Sequence, residues 1–231
     1  MKTGVSIITC TKRRNCMDTL FRNYARQEHP HKELIVILNH PSLRISEYEL
    51  AVRRFPNVRI VSVPDSVSLG ACLNLGVKLA KHPLIAKFDD DDYYAPRYLT
   101  DSVRILRQTK ADIVGKRAHY MQLSGEPRLL FRYPAMAGRY VPLVQGATLL
   151  VRRRVFKQVR FPDRSRGECV RFCASCRAKG FKIYAGSPRH FLAIRQRNSK
   201  DHTWIVSDKA LLKRNVRLLE VDDARQFVGG T

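Results

Sequence analysis

The chain has 231 residues, 44% hydrophobic and 27% charged, enough apolar material for one compact domain with a sizeable core. Its 43 Lys and Arg against 20 Asp and Glu give a formal charge of +23, which attracts polyanions, an anionic membrane surface or an anionic substrate. No stretch reaches the ~20 apolar residues that span a bilayer, and six cysteines are too few for a disulfide scaffold at this length.

Residues 5–9, Val-Ser-Ile-Ile-Thr, predict a buried strand, followed by a basic turn over residues 10–15 suited to phosphate or ribose contacts through Arg13. From Cys16, the apolar residues Met17, Leu20, Phe21, Tyr24 and Ala25 fall at helical spacing. A second strand over 33–38 ends at Asn39-His40-Pro41, and a charged amphipathic helix is expected over 46–55. A third strand covers 58–63, and a helix over 69–80 places Leu69, Leu73, Val77 and Ala80 on one face.

A fourth apolar strand begins at Leu84 and ends in Asp89, Asp90, Asp91 and Asp92, before Pro96 opens the next helix. Four adjacent carboxylates repel one another unless a cation sits among them. A hard divalent ion, Mg²⁺ or Mn²⁺, takes one or two such side chains and fills its other positions with substrate phosphates. Alternation along a strand would let Asp89 and Asp91 converge on one ion while Asp90 points away.

Four strands alternating with three helices predict a mostly parallel sheet with right-handed crossovers. Ligands of such sheets bind beyond the carboxyl ends of the strands, where Thr9, Asn39 and Asp89 fall. After a helix at 96–108, the segments 113–114, 118–121 and 129–131 predict antiparallel strands forming a smaller lobe. A strand over 145–151, opened by Gly146, precedes a helix at 167–179 capped by Gly180 and a strand at 181–185. The tail carries Lys200-Asp201-His202-Thr203-Trp204 and a short helix at 207–214. One domain over 1–231 is expected, with a nucleotide half at 1–92 and an acceptor half at 93–231.

In their order and spacing, these pieces resemble family 2 glycosyltransferases of the GT-A fold. The matching stretches are the strand and turn at 5–13, the strand at 33–37, Ser68-Leu69-Gly70-Ala71-Cys72-Leu73-Asn74 and Phe88-Asp89-Asp90-Asp91-Asp92. Further on come Gly146-Ala147 and Gly167-Glu168, the latter followed by Phe172 and Gly180. The wording at 69–74, 88–94 and 202–204 resembles a branch of spore-forming bacteria acting in spore-surface and teichoic-acid-type glycosylation.

The resemblance implies transfer of a sugar from a nucleoside diphosphate donor with inversion at the anomeric carbon. Asp89 and Asp91 match the family's Asp-x-Asp, with Asp92 and His202 as further metal ligands for Mn²⁺ or Mg²⁺. Thr9, Thr11, Arg13, Asn39, Asn74, Asp90 and Asp91 would face the nucleotide-sugar. Gly146 and Ala147 would lie on the acceptor side.

Three departures from the family's pattern bear on this. Leu38-Asn39 stands where an acidic pair is usual, although Asn39 still offers a carbonyl acceptor to a base N–H. Cys72-Leu73-Asn74 lacks an arginine usual near the donor, and Glu168-Cys169 replaces Glu-Asp. Inverting transfer needs a carboxylate to take the acceptor's proton, and a thiol with a pKa near ~8.5 is a poor substitute. Glu168 is the candidate base, with Asp163 second.

Cys169, Cys173 and Cys176 copy a cluster-binding spacing, but offsets of four and seven put them on one helical face as small core residues. Neither a Walker loop nor a Gly-x-Ser-x-Gly elbow occurs. A cytoplasmic protein is expected, with peripheral membrane contact through basic clusters at 152–154 and 160–166. A donor-binding protein with weak turnover is the alternative. The aromatics do not interleave with the basic clusters as stacking platforms would, which argues against a nucleic-acid binder.

Overall fold

The computed structural model describes residues 3–123, 128–195, 212 and 215–230. The first half builds the expected alternation: β1 (Val5–Thr11), α1 (Met17–Ala25), β2 (Lys32–Leu38), α2 (Ile45–Val52), β3 (Val58–Ser62), α3 (Leu69–Leu79) and β4 (Leu84–Lys87). These four strands lie parallel in the order β3-β2-β1-β4. β1 runs two residues beyond the predicted end because Cys10 and Thr11 stay in register with Ile37 and Leu38.

Both faces of this sheet are buried, which is why its strands read as continuous apolar runs. Alternation sends Val5, Ile7, Leu34, Val36 and Leu38 to one side, against Leu20, Phe21 and Tyr24 of α1. Ile8, Ile35 and Ile37 face the other side, against Cys72 and Leu73 of α3. There α3 comes so close that a Cβ at Gly76 would sit 2.5 Å from the Ile8 side chain.

The second half contributes β5 (Tyr93–Tyr94), α4 (Tyr98–Thr109), β6 (Ile113–Gly115), β7 (His119–Leu123), β8 (Arg128–Arg132), β9 (Arg139–Tyr140) and β10 (Leu150–Arg152). Then follow α5 (Glu168–Ala178), β11 (Ile183–Ala185), β12 (Phe191–Arg195), β13 (Val216–Glu220) and α6 (Ala224–Gly229). The segment around 113 does not join the smaller lobe as expected. β6, β10, β11 and β9 instead extend the large sheet beyond β4, to eight strands. The smaller sheet, ordered β13-β8-β7-β12-β5, is mainly antiparallel, with β12 parallel to β7. Its edge strand β13 and the helix α6, capped by Asp223 accepting from Arg225 N and Gln226 N, carry no strong sequence periodicity and were not anticipated.

Residues 145–151 do not form one strand. Thr148 N–H and its hydroxyl both donate to Gln145 O, at 2.9 and 2.7 Å, which closes a turn over Gly146–Thr148 before β10 begins. In α5, Cys169, Cys173 and Cys176 are all buried in the core with Phe172, as expected of small apolar residues on one face. No helix among the described residues is long and apolar enough to cross a membrane.

The loop that leads into α5 is clamped to α3. Gly70 N–H donates to Arg164 O at 3.0 Å, and a Cβ at Gly70 would lie 1.9 Å from Pro162 O. Because that neighbour is backbone, Gly70→Ala is expected to cost about 1–3 kcal/mol, measured by denaturant unfolding. An unchanged midpoint would show that the loop is free to shift.

Candidate active site

The carboxyl ends of β1, β2 and β4, the start of α5 and one face of the smaller sheet enclose a cavity of about 630 Å³. The aspartates are not in a strand. β4 ends at Lys87, and Asp89–Asp92 follow in a bend. Strand alternation therefore does not sort them, and the contacts each carboxylate makes do so instead.

Instead, Asp90 and Asp91 share Arg13. Asp90 is buried, accepts from Thr11 Oγ1 at 2.6 Å and pairs with Arg13, whose Nη2 also lies 2.9 Å from Asp91 Oδ2. Burial pushes the Asp90 carboxyl up, and Arg13 offsets part of that shift. Asp89 pairs with Lys87, a buried lysine in an otherwise apolar strand. Burial opposes the charge on Lys87, but Asp89, helped by Glu168, outweighs it and holds the ammonium above its ordinary pKa.

Asp92 turns toward the smaller sheet. Its Oδ1 accepts from Ile194 N at 2.9 Å, and its carbonyl accepts from Asn23 Nδ2 at 2.7 Å. Burial, with Asp91 and Asp89 adding to it, raises its pKa well above the usual carboxylate range. One of its oxygens is thus committed to the backbone, which leaves Asp89 and Asp91 as the more exposed carboxylates of the run, at 38% and 16% of their side chains.

The remaining residues divide. Thr11, Arg13 and Asn39 line the cavity, whereas Thr9 is enclosed in the sheet two residues before the strand's end. Asn39 Nδ2 donates to Pro64 O at 2.6 Å, which commits its NH₂ group and not its carbonyl oxygen. Asn74 does not reach the donor side: its amide donates to Phe161 O and accepts from Phe161 N, at 2.9 and 3.1 Å, pinning α3 to the loop that leads into α5. Asp163 is also spent elsewhere, accepting from Ser68 Oγ at 2.5 Å at the cap of α3, outside the cavity lining. His202 lies outside the described residues.

Gly146, Ala147, Glu168 and Cys169 do meet at the cavity. A Cβ at Gly146 would lie 2.9 Å from Cys169 Sγ, so glycine lets the turn abut α5. Glu168 is the first residue of α5 and 8% exposed, a position where the helix dipole favours negative charge. Burial raises the Cys169 thiol well above its ordinary pKa. It is therefore protonated at neutral pH and donates to Glu168 Oε1 at 3.1 Å. Cysteine here orients the carboxylate rather than replacing one.

Sequence reasoning missed Lys87, Tyr94, Arg117, His119, Arg132 and Arg195. A lone lysine ending an apolar strand was a readable signal. The others become neighbours only through strand pairing. Tyr94 lends its hydroxyl to both halves, accepting from Asp89 N and donating to Ala147 O, each at 2.8 Å.

Among solved structures, residues 1–349 of TarS from S. aureus share 16% identity with a TM-score of 0.66, covering 83% of this chain and 60% of that one. The same fragment in complex with UDP-GlcNAc matches at 17% identity and a TM-score of 0.66, covering 83% of this chain and 58% of that one. The mannosyltransferase PcManGT from Pyrobaculum calidifontis, in complex with GDP-Man and Mn²⁺, aligns at 14% identity and a TM-score of 0.66 over 87% of this chain and 59% of that one. The chain thus spans about three-fifths of the length of these neighbours, and at such identities they show the fold, GT-A. No curated protein sequence matches the chain. A family model described as Glycosyltransferase like family 2 matches residues 5–217. With nearly the whole chain inside that match, the protein belongs to the family 2-like glycosyltransferases.

Proposed function

We propose that this glycosyltransferase uses a divalent cation and transfers a sugar from a nucleoside diphosphate donor with inversion, Glu168 acting as the base. The observation that carries this reading is that Glu168 and the run Asp89–Asp92 line one cavity, with buried Lys87 placed between them electrostatically. Asp91 and Asp89 present hard oxygen ligands, and among the described residues no group of three His, Cys, Asp or Glu side chains is gathered for a metal. That donor set suits Mg²⁺ or Mn²⁺, which take one or two protein carboxylates and complete their shell with phosphate oxygens and water. When bound there, such an ion neutralises charge on the departing diphosphate.

The chain's own residues supply the rest. Thr11 and Asn39 close the nucleoside end, Asn39 Oδ1 offering an acceptor to a base N–H. Arg13 holds Asp90 and Asp91 in place. Glu168 takes the proton of the acceptor hydroxyl as its oxygen bonds to the anomeric carbon. The bond to the diphosphate oxygen breaks on the opposite face, and its electron pair leaves with the nucleotide. Cys169 holds the Glu168 carboxylate through its S–H. The wording at 69–74, 88–94 and 202–204 further suggests the spore-surface and teichoic-acid-type branch, with His202 as a third metal ligand.

A thermal-shift screen of UDP, GDP and their sugars, with and without Mn²⁺, tests the donor reading. A ligand that binds only the folded form raises the melting temperature with occupancy, by about 2.7 kcal/mol of stabilisation at a hundredfold excess over Kd. The expected result is a Mn²⁺-dependent shift for one nucleotide class. Failure of every nucleotide to shift the transition would overturn it.

A further inference from the structure

The smaller sheet turns one face into the cavity. Register pairs His119 with Arg132 across β7 and β8, and Met121 with Ala193 across β7 and β12. Alternation then places Arg195, two residues beyond Ala193, on the same face. All five line the cavity, and Arg117 joins them from the segment before β7. An inward sheet face is ordinarily apolar, yet this one buries Arg132, Arg195 and His119.

The cations are crowded as well as buried. Arg117 lies 3.8 Å and Arg132 5.3 Å from the Tyr133 ring centroid, so that ring gathers two guanidinium groups at one edge of the cavity. Burial lowers the Arg132 pKa; Tyr133 opposes this, while Arg117 and Arg195 add to it. Burial also pushes His119 down to about 4, so the ring is neutral. Its Nδ1 lies 3.0 Å from Arg117 O and takes the donor role there. Nε2 is then an acceptor, and it has no hydrogen-bond partner among the described residues. Guanidinium groups gathered at one cavity wall suit an oxyanion, which they take through charge-assisted, bidentate bonds. An acceptor nitrogen beside them fits a hydroxyl.

We propose that this face is the acceptor subsite, with Arg117, Arg132 and Arg195 taking an oxyanion of the phosphate class and His119 Nε2 a hydroxyl of the same polyol or sugar. The inference rests on the proposed donor site, because assigning Thr11, Asn39 and Asp91 to the donor leaves the sheet face to the acceptor. The cavity of about 630 Å³ also has to hold the donor, so the space left for an acceptor suits a single phosphorylated unit rather than a duplex.

Calorimetric titration of glycerol 3-phosphate and of glycerol, with and without UDP or GDP plus Mn²⁺, tests it on the unsubstituted chain and on R117Q, R132Q and R195Q. Glycerol 3-phosphate is expected to bind and glycerol not. Each substitution is expected to weaken glycerol 3-phosphate about tenfold or more, the loss of one charge-assisted bond, while nucleotide affinity stays within about twofold. Arg117 is half-buried, so R117Q keeps the test alive should the buried variants fail to fold. Equal affinity for glycerol, or no binding of glycerol 3-phosphate, overturns the proposal. So does a parallel loss of nucleotide affinity, which would assign the arginines to the donor diphosphate. Absence of nucleotide binding to the unsubstituted chain sinks the donor reading instead, and the glycerol 3-phosphate arm still decides the oxyanion.

Discussion

Asp91→Asn is expected to reduce sugar transfer by about 10³-fold, the several kcal/mol that a metal contributes to the charge on a leaving phosphate. Its carboxylate is the partly exposed one beside Arg13, and the amide keeps its shape while removing its charge. Arg13 retains Asp90 after the change, so the fold should melt nearly as before. Two readouts separate a ligand from a structural residue: donor turnover at saturating Mn²⁺, and the Mn²⁺ dependence of nucleotide binding. Both should collapse together. Activity within tenfold of the parent, with metal dependence intact, would remove Asp91 from the metal site.

Glu168→Gln is the second large effect, with turnover falling about 10²- to 10⁴-fold as expected for loss of a positioned general base. Nucleotide affinity should be unchanged, because Glu168 stands at the start of α5, on a different part of the cavity wall from Thr11 and Asn39. Glutamine keeps an acceptor for the Cys169 S–H, so packing at the start of α5 survives. A fall in turnover with constant donor affinity marks a proton acceptor, whereas equal losses in both mark a structural role. Turnover above a tenth of the parent's would place the base elsewhere. Asp163 is a poor fallback, since it caps α3 through Ser68 and does not line the cavity.

The parallel half was legible because burial on both faces writes itself as apolar runs, and helical spacing does the rest. The apolar runs at 5–9, at 33–38 and from Leu84 needed no long-range information to be read as strands. The details of the donor end were less legible. Thr9 and Thr11 differ by one pleat, and only the pairing of Thr11 with Leu38 shows which of them ends the strand. The four aspartates looked like a strand tip, but the chain leaves the ladder at Lys87, and a bend assigns its carboxylates by contact rather than by parity. Asn74 sits in a family-like stretch, yet its amide matches the Phe161 backbone on both sides and is consumed there. The arginine-rich wall was invisible for a simpler reason. Arg117, Arg132 and Arg195 are separated by long stretches of sequence, and only the β8-β7-β12 pairing makes them one surface.

The hydroxyl of Tyr94 touches Asp89 N on one side and Ala147 O on the other, and its ring stacks on Phe88 at 3.7 Å between centroids. A flat, fully enclosed ring of fixed length therefore acts as a gauge block between the bend of Asp89–Asp92 and the turn that abuts Cys169. In the proposed reaction, the interval over which the sugar travels is then set by covalent geometry, and the two ends of that journey cannot drift apart independently.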